Sequence, residues 1–363
     1  MKYFSLFSGI GGFELGIQQA LQNNVCLQKG KYQAEDSGCK TNSWVEPKQS
    51  ERLGCIGFSE IDKYATQIYK KHFPTHKEYG DVTNIKWSDV PDFELLCGGF
   101  PCQSFSIAGK RGGFSDTRGT LFFEIARATQ EKHPRLLLLE NVKGLLSHDK
   151  GRTFGTILNT LDELGYDLQW QVLNSKNFGV PQNRERVFII GHLRTTPRPQ
   201  VFPLQQTNAI HLKNDDRKIA KCLDSNYHKG WLDHGQRTMI ALCIRAEHHN
   251  TADVHFITDT MEVANAVTPD AYLASGKRKR VNGKAVLTSM HERRIRRLTP
   301  TECERLQGFP DGWTKKGVDM KGNCVPISDT QRYKCLGNAV TVNVIEEIMK
   351  NLKFRLDSLR RIC

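Results

Sequence analysis

The fold is indicated first by the stretch Tyr3-Phe4-Ser5-Leu6-Phe7-Ser8-Gly9-Ile10-Gly11-Gly12, in which an apolar run ends in a cluster of glycines. The pattern predicts a β-strand over 3–7, a tight loop over 8–12 and a helix over 13–22. Glycines at the start of a helix let a nucleotide-like ligand approach the backbone, where the positive end of the helix dipole suits a carboxylate or a phosphate. An ordinary tight turn fits the same residues.

The first half of the chain continues this alternation of apolar runs and amphipathic stretches. The apolar runs are continuous, which is typical of strands that are covered on both faces of a mostly parallel sheet. The sequence therefore predicts an α/β fold with a doubly wound, mostly parallel sheet. Further strands are predicted at 55–59, 93–97, 135–139, 168–173 and 187–190, and further helices at 62–72, 121–132, 152–164 and 340–352.

Two stretches depart from the alternation. Residues 25–54 are polar and predict an inserted surface loop. From 193 to 328 the alternation of strands and helices stops, and three prolines punctuate the entry to this region. We therefore predict a smaller second domain over 193–328, irregular or β in character, while 1–192 and 329–363 form the first domain.

The balance of charge is basic. The chain has 363 residues and a formal net charge of +13. Residues 277–297 alone hold nine basic side chains against one acid, Glu292. A solvated basic surface is one explanation, but evenly solvated surfaces mix both signs, so this stretch favours contacts with the phosphates of a polyanion.

The cysteines and the apolar runs bear on cell location. Eleven cysteines are scattered without a Cys-x-x-Cys pair. A chain of this length needs no disulfides, so we expect reduced thiols and a cytoplasmic protein. The histidines at 248, 249 and 255 have no cysteine pair near them, so no metal site is predicted. No apolar run is long enough to cross a bilayer, so no membrane partner is expected.

Two carboxylates follow predicted strands and could bind a nucleoside. Glu60 stands at the end of the second strand, where an acid can hold ribose hydroxyls. Its separation from the glycine loop exceeds the usual spacing, and the polar insert accounts for the excess. Asp81 could accept a hydrogen bond from an adenine amino group, although a turn aspartate fits equally.

A cysteine follows the next strand, in Gly98-Gly99-Phe100-Pro101-Cys102-Gln103-Ser104-Phe105-Ser106. This is the sheet edge at which α/β folds bind ligands. Cys102 is therefore a candidate nucleophile. A buried core cysteine is the ordinary alternative, but the proline and the polar residues around Cys102 favour exposure.

Two further blocks carry charged side chains near buried strands. In Leu136-Leu137-Leu138-Leu139-Glu140-Asn141-Val142, the carboxylate of Glu140 stands at the mouth of an apolar strand, where partial desolvation would suit a proton donor. A surface acid or helix cap is the alternative. In Gln182-Asn183-Arg184-Glu185-Arg186, strand alternation places Arg184 and Arg186 on one face, so both could point into one site. A salt-bridged sheet edge is the alternative there.

Nine blocks, taken in order, resemble the cytosine-5 DNA methyltransferase family, and most closely its single-chain bacterial modification enzymes. Any one block is weakly informative, but the ordered set is specific and covers nearly all of the predicted first domain. The blocks are the glycine loop at 7–12, Glu60, Asp81, Pro101-Cys102, Arg118-Gly119-Thr120-Leu121-Phe122-Phe123, Glu140-Asn141-Val142, Gln182 to Arg186, Arg297 to Arg305, and Gly337-Asn338-Ala339-Val340.

The resemblance implies a Rossmann-like fold, S-adenosylmethionine as the cofactor, and a role for each matching residue. Cys102 would be the nucleophile, Glu140 the acid and Arg186 the group on the cytosine carbonyl, with Arg184 orienting the site. Residues 103–120 would form a loop that closes over DNA. The cofactor pocket would be lined by Phe7, Gly9, Gly11, Gly12, Glu60, Ile61, Asp81, Val82, Gly99, Pro101, Leu121, Asn338 and Val340. DNA would be contacted by Gln103, Ser104, Ser106, Arg118, Lys277, Arg278, Lys279 and Arg280.

The resemblance also implies the partners. The substrate would be a cytosine flipped out of double-stranded DNA, because the reacting carbon cannot be reached inside a stacked duplex. The region 193–328 would read the target sequence. A matching restriction endonuclease would act separately, and we expect the methyltransferase to be a monomer.

Three other functions remain open at this point. Related enzymes act on transfer RNA, but they carry a Cys-Phe-Thr tripeptide that this sequence lacks. A catalytically inactive DNA-binding homologue is another possibility, although it would not need Cys102, Glu140 and Arg186. A nicotinamide-dependent enzyme would carry Gly-x-Gly-x-x-Gly, whereas the glycines here run Gly-x-Gly-Gly.

Overall fold

The computed structural model describes residues 1–22, 54–101, 121–205, 220–221, 239–243 and 293–360. The described strands are β1 (Lys2–Leu6), β2 (Gly54–Ser59), β3 (Leu95–Gly99), β4 (Leu136–Val142), β5 (Tyr166–Asn174), β6 (Gln182–Asn183), β7 (Glu185–Leu193), β8 (Ala220–Lys221), β9 (Met239–Cys243), β10 (Arg293–Arg297), β11 (Lys316–Val318) and β12 (Cys324–Pro326). The described helices are α1 (Gly12–Gln22), α2 (Lys63–His72), α3 (Leu121–Lys132), α4 (Arg152–Glu163), α5 (Pro300–Leu306), α6 (Asp329–Asn338) and α7 (Val342–Arg360).

A six-stranded sheet in the order β2-β1-β3-β4-β7-β5 forms the centre of the molecule. The pairs from β2 to β4 are parallel, whereas β7 pairs antiparallel with both β4 and β5. The predicted α/β fold with a mostly parallel sheet is confirmed.

Successive residues of the central strands pack on opposite faces of this sheet. Tyr3 and Leu138 face a core formed with helices α1 and α7, while their neighbours Phe4 and Leu139 face a core formed with α3 and α4. All four side chains are at most 2% exposed. Because both faces are covered, these strands read as continuous apolar runs and not as alternating ones.

A third core cluster joins α2 to residues far along the chain. Ile68 and Phe73 pack with Leu298, Trp313 and other residues up to Val342. The predicted division into 1–192 with 329–363 and 193–328 stays a prediction, because residues 206–219, 222–238 and 244–292 lie outside the described residues.

Among the described residues of the predicted irregular region, helix α5 was not expected from the sequence. Helix α5 begins after Thr299, whose hydroxyl accepts from the backbone N–H of Glu302, while the Glu302 carboxylate accepts from the backbone N–H of Thr299. This capping box, with Pro300 in the first turn, was the available signal.

The boundaries of three predicted elements differ from those in the structure. Strand β4 runs to Val142 instead of Leu139, because Glu140 and Val142 still pair with Phe188 and Arg186 of β7. Helix α7 begins two residues later than predicted and continues to Arg360. Gly54 belongs to β2, and the rest of the predicted insert lies outside the described residues.

No helix among the described residues has both the length and the apolar character needed to cross a membrane. Within the same residues, no group of three or more His, Cys, Asp or Glu side chains is arranged to hold a metal ion.

Candidate active site

The candidate site lies at the edge of the sheet where parallel strands end. Strands β1 to β4 are parallel, so their carboxyl ends meet at this edge, which is where open α/β sheets bind ligands. Strand β7 runs the other way, so its first residues, Glu185 and Arg186, arrive at the same edge. The predicted glycine loop, Glu60 and Glu140 are thereby brought to one side of the molecule.

The glycine loop after β1 is tightly folded. Phe7, Gly9 and Gly11 have φ values of 54°, 56° and 87°. The backbone N–H of Gly11 donates to the carbonyl of Ser8 at 3.1 Å. A Cβ at Gly9 would meet nothing within 4 Å, so this side of the loop is open. At Gly11 and Gly12 it would lie 2.3 and 2.8 Å from side chains of Phe73 and Val340, so these positions require glycine for packing.

The carboxylate of Glu60 is hydrogen-bonded to the backbone of this loop at Gly9. One carboxylate oxygen accepts from the backbone N–H of Gly9 at 2.8 Å, and the other accepts from the N–H groups of Ile61 and Asp62 at 2.9 and 2.8 Å. Burial raises the pKa of Glu60 above its ordinary value, and these hydrogen bonds oppose that rise. The neighbouring Ile61 side chain is 73% exposed. An acid, an open backbone loop and an exposed apolar side chain therefore stand together.

Asp81 and Val82 lie in a short turn beyond β2. Asp81 is exposed, and one of its carboxylate oxygens accepts from the N–H and the hydroxyl of Thr83, both at 2.9 Å. This is the turn-aspartate arrangement that the sequence also allowed. Val82 is 2% exposed and packs in the core on the α3 side of the sheet.

Glu140 and Arg186 form an ion pair at the end of β4. The guanidinium Nε lies 3.0 Å from a carboxylate oxygen of Glu140, and the two side chains are 17% and 12% exposed. A Cβ added to Gly99, the last residue of β3, would lie 2.8 Å from the other Glu140 oxygen. The carboxylate therefore lies directly beside the strand end from which the chain leads to Pro101.

Asn141 fixes the backbone that follows β3. Its side-chain N–H donates to the carbonyl of Phe100 at 3.0 Å, and its side-chain oxygen accepts from the N–H of Val142 at 2.8 Å. Asn141 is 2% exposed, so these bonds are shielded from water. The path of the chain into Pro101 is thereby fixed by the same strand that carries Glu140.

Arg184 does not share the surroundings of Arg186. It lies between β6 and β7, so strict strand alternation does not extend to it. Its side chain is 3% exposed and donates to the carbonyls of Gly337 and Ala339 at 3.1 and 2.8 Å. Arg184 thus holds the end of α6, where Asn338 is exposed and Val340 packs against Gly12.

Residues 1–354 match the family described as C-5 cytosine-specific DNA methylase. The chain belongs to this family.

Relatives of the methylase match over most of both chains. It is 36% identical to the type II methyltransferase M1.ScrFI of Lactococcus lactis subsp. cremoris, with 97% of this chain and 77% of that protein covered. Identity to M.NlaX of Neisseria lactamica is 35%, covering 99% and 98%. Identity to M.HpaII of Haemophilus parainfluenzae is 34%, covering 98% and 90%.

Solved structures show the same fold at low sequence identity. A mutant DNMT2 of Spodoptera frugiperda superposes with a TM-score of 0.59 at 18% identity, covering 97% of this chain and 99% of that one. The Entamoeba histolytica methyltransferase EhMeth gives a TM-score of 0.59 at 19% identity, covering 99% and 98%.

Several predicted site residues of the methylase lie outside the described residues. They are Cys102, Gln103, Ser104, Ser106, Arg118, Lys277, Arg278, Lys279 and Arg280. Of the other residues predicted to line the cofactor pocket, Pro101 is exposed, while Gly99 and Leu121 are partly buried.

One supporting residue of the methylase site was missed by sequence reasoning. Arg127 of α3 donates to the carbonyls of Val82 and Ile85 at 2.9 and 2.8 Å, and so fixes the turn that carries Asp81. Nothing local in the sequence points to it, because the arginine and the turn are joined only by tertiary packing.

A buried acid beneath the glycine loop was also missed. Glu14 of α1 is fully buried, and its carboxyl accepts from the Tyr69 hydroxyl at 3.0 Å. That hydroxyl lies 2.9 Å from Nδ1 of His76. Burial raises the pKa of Glu14 to about 7 and lowers the pKa of His76 to about 4. Glu14 is therefore largely protonated in mildly acidic solution, while His76 is neutral there.

We expect Glu14→Gln to remove a pH dependence of stability. The folded pKa of Glu14, about 7, lies above its unfolded value of 4.5, so its contribution is fully present below pH 4.5 and is lost as pH rises through 7. That gap corresponds to about 3 kcal/mol. The free energy of unfolding of the variant, minus that of the wild type, should therefore increase by up to ~3 kcal/mol between pH 4.5 and 8.

Urea unfolding at several pH values measures this difference. Glu163→Gln is the control, because it makes the same substitution at an exposed position. A constant difference for Glu14→Gln would mean that folding does not raise the pKa of Glu14.

Proposed function

We propose that this chain transfers a methyl group from S-adenosylmethionine to C5 of a flipped-out cytosine in a short duplex DNA site. In this proposal it is the modification enzyme of a type II restriction-modification system, acting in the cytoplasm as a monomer beside a separate endonuclease. The observation that carries the proposal is the Glu140–Arg186 pair, 3.0 Å apart beside the strand end that leads to Pro101-Cys102. Full-length similarity to named type II methyltransferases supports the biological setting.

The residues at the sheet edge fit S-adenosylmethionine. Its amino-acid carboxylate suits the open backbone at Gly9 beside the N-terminus of α1, and Glu60 suits the ribose hydroxyls. The exposed Ile61 side chain offers an apolar surface for the adenine ring. When bound, the cofactor supplies an electrophilic methyl group on a sulfonium ion. Asp81, Val82, Gly99, Pro101, Leu121, Asn338 and Val340 complete the proposed pocket.

The proposed chemistry needs a nucleophile, because C5 of cytosine is itself too weak. Addition of the Cys102 thiolate to C6 makes C5 enamine-like and able to accept a methyl group. Loss of the C5 proton then expels the thiolate and restores the ring. The described segment ends at Pro101, directly before Cys102 in the sequence, and Asn141 holds the Phe100 carbonyl at the edge that carries Glu140.

Glu140 and Arg186 would act on the ring during this addition. A protonated Glu140 can donate to N3 and so offset the negative charge that develops there. The Arg186 guanidinium can stabilise charge on O2 while its contact with the Glu140 side chain orients that acid. Arg184 would orient the site indirectly, since it fixes the carbonyls on either side of Asn338.

Neutralising the four basic residues of 277–280 is expected to weaken DNA binding and flatten its salt dependence. Each lysine or arginine that contacts a phosphate adds about one unit to the slope of log K against log salt, so the slope should fall by up to about 4. The control exchanges Lys for Arg and Arg for Lys at these positions, which preserves the charge. Fluorescence anisotropy over a salt series measures the slope, and an unchanged slope would make this run a solvated surface.

Methyl transfer from labelled S-adenosylmethionine to unmethylated genomic DNA, beside bulk transfer RNA, tests the function. Label on DNA is expected. Label on transfer RNA alone would move the function to RNA methylation. Absence of label from both, with cofactor and DNA still bound, would indicate an inactive DNA-binding homologue.

A further inference from the structure

The glycine loop is held from a second side by a residue of the third core cluster. The indole Nε1–H of Trp313 donates to the carbonyl of Ile10 at 2.9 Å, across 303 residues of sequence. Ile10 is 1% exposed and Trp313 is 7% exposed. A buried carbonyl without a donor is costly, so this bond stabilises the conformation of the loop at the peptide between Ile10 and Gly11.

Trp313 is itself held rigidly by His72, the last residue of α2. The imidazole and indole rings stack with centroids 3.5 Å apart and an interplanar angle of 3°. His72 Nε2 lies 2.8 Å from the carbonyl oxygen of Trp313. A carbonyl can only accept, so Nε2 carries the proton. Burial lowers the pKa of His72 to about 4, so the ring is neutral at physiological pH.

Thr314, the residue after Trp313, is also fixed by a hydrogen bond to a buried side chain. The backbone N–H of Thr314 donates to a carboxylate oxygen of Glu304 at 2.7 Å, and Glu304 is fully buried. The same carboxylate is paired with Arg332 at 3.2 Å. Trp313 is therefore fixed on both sides before any ligand binds, which is what a positioning residue requires.

The two hydrogen bonds that hold the loop are made to adjacent residues, Gly9 and Ile10. Glu60 accepts from the N–H of Gly9, and Trp313 donates to the carbonyl of Ile10. Between them lies the open side at Gly9, flanked by residues with positive φ at Phe7 and Gly11. A ligand that approaches the backbone here meets a loop whose shape depends on both bonds.

We propose that Trp313, clamped by His72, is a positioning residue that preforms the glycine loop for S-adenosylmethionine. This proposal rests on the proposed function, because it takes the ligand of the loop to be that cofactor. Trp313 contacts the glycine loop and His72, whereas the proposed catalytic pair lies at the end of β4. Its loss should therefore weaken cofactor binding and leave the chemical step and DNA binding nearly unchanged.

Trp313→Phe tests this, since it keeps an aromatic ring and removes the N–H donor together with some ring volume. The dissociation constant for S-adenosylhomocysteine, measured by titration calorimetry on the full chain, should rise by about tenfold, the effect of one lost buried hydrogen bond. KM for S-adenosylmethionine should rise in parallel, while kcat and KM for DNA should change by less than about threefold. Amide hydrogen exchange over residues 8–15 should become faster.

Trp87→Phe is the matched control. Trp87 is 1% exposed and packs edge-on against Phe4 at 5.1 Å, and its buried Nε1 has no hydrogen-bond partner among the described residues. The same substitution therefore removes core volume without removing a donor from the loop. Its dissociation constant for S-adenosylhomocysteine should stay within about twofold of the wild-type value.

The outcomes separate this inference from the proposed function. If the wild type binds S-adenosylhomocysteine and Trp313→Phe binds it equally well, Trp313 is only a core residue. If the wild type binds none, the proposed cofactor itself is wrong. If Trp313→Phe does not fold, His72→Phe keeps the ring stack and removes the donor to the Trp313 carbonyl. It should weaken binding by about threefold, and unchanged binding would overturn the proposal.

Discussion

Cys102→Ala is expected to abolish methyl transfer to DNA while cofactor and DNA binding persist. Without a thiol no addition to C6 can occur, and C5 stays too weak a nucleophile to accept the methyl group. The rate should fall by more than about a thousandfold, on the scale of removing an essential nucleophile. The described chain reaches Pro101, and Asn141 fixes the preceding carbonyl, so cofactor-site geometry should survive the substitution.

Duplex DNA that contains 5-fluorocytosine at the target base gives a direct readout for Cys102. The ring fluorine cannot leave as a proton does, so the thioether adduct should persist through denaturing electrophoresis in the wild type and be absent from Cys102→Ala. Cys324→Ala, at a partly buried cysteine on β12, is the control and should retain both adduct and turnover. An adduct in Cys102→Ala, or retained turnover, would remove Cys102 as the nucleophile.

Glu140→Gln should slow the chemical step by about a hundredfold or more, the usual worth of a general acid. The substitution keeps the shape of the side chain, but an amide can neither transfer a proton to N3 nor carry the charge that pairs with Arg186 when Glu140 is ionised. Addition to C6 would then develop charge on N3 that no proton transfer neutralises. Single-turnover kinetics at saturating DNA and cofactor isolate this step from binding.

Glu185→Gln is the matched control for Glu140. Glu185 lies beside Arg186 on the same strand, but its side chain is 43% exposed and pairs with the exposed Lys143. Surface pairs of this kind contribute little, so its single-turnover rate should stay within about twofold of the wild type. A near-normal rate for Glu140→Gln would reassign Glu140 to a structural role.

Much of the fold could be predicted because the strands are buried on both faces. Leu136 to Leu139 read as one apolar run, and the structure packs successive leucines on opposite faces of the sheet. The direction of a strand is not encoded in such a run. The reversed direction of β7 therefore could not be predicted, although it is what brings Arg186 to Glu140.

The residues of the candidate site also fall into two groups, those that the local sequence indicates and those that only tertiary packing joins to the site. Residues that directly follow an apolar run, such as Glu60 and Glu140, could be found from that position. Residues that hold the site from distant parts of the sequence could not be found in this way. Arg127, Trp313 and Arg184 each hold a backbone carbonyl more than forty residues away, at Val82, Ile10 and Gly337 respectively, and only tertiary packing joins them.

Base-resolution mapping of 5-methylcytosine tests the central claim most directly. Unmethylated genomic DNA would be incubated with S-adenosylmethionine and either the wild type or Cys102→Ala, and then sequenced for the modified base. Methylation of cytosine at one short recurring site by the wild type, and at none by the variant, is the predicted result. Methyl groups on another base or another atom of cytosine, or 5-methylcytosine made equally by Cys102→Ala, would contradict it.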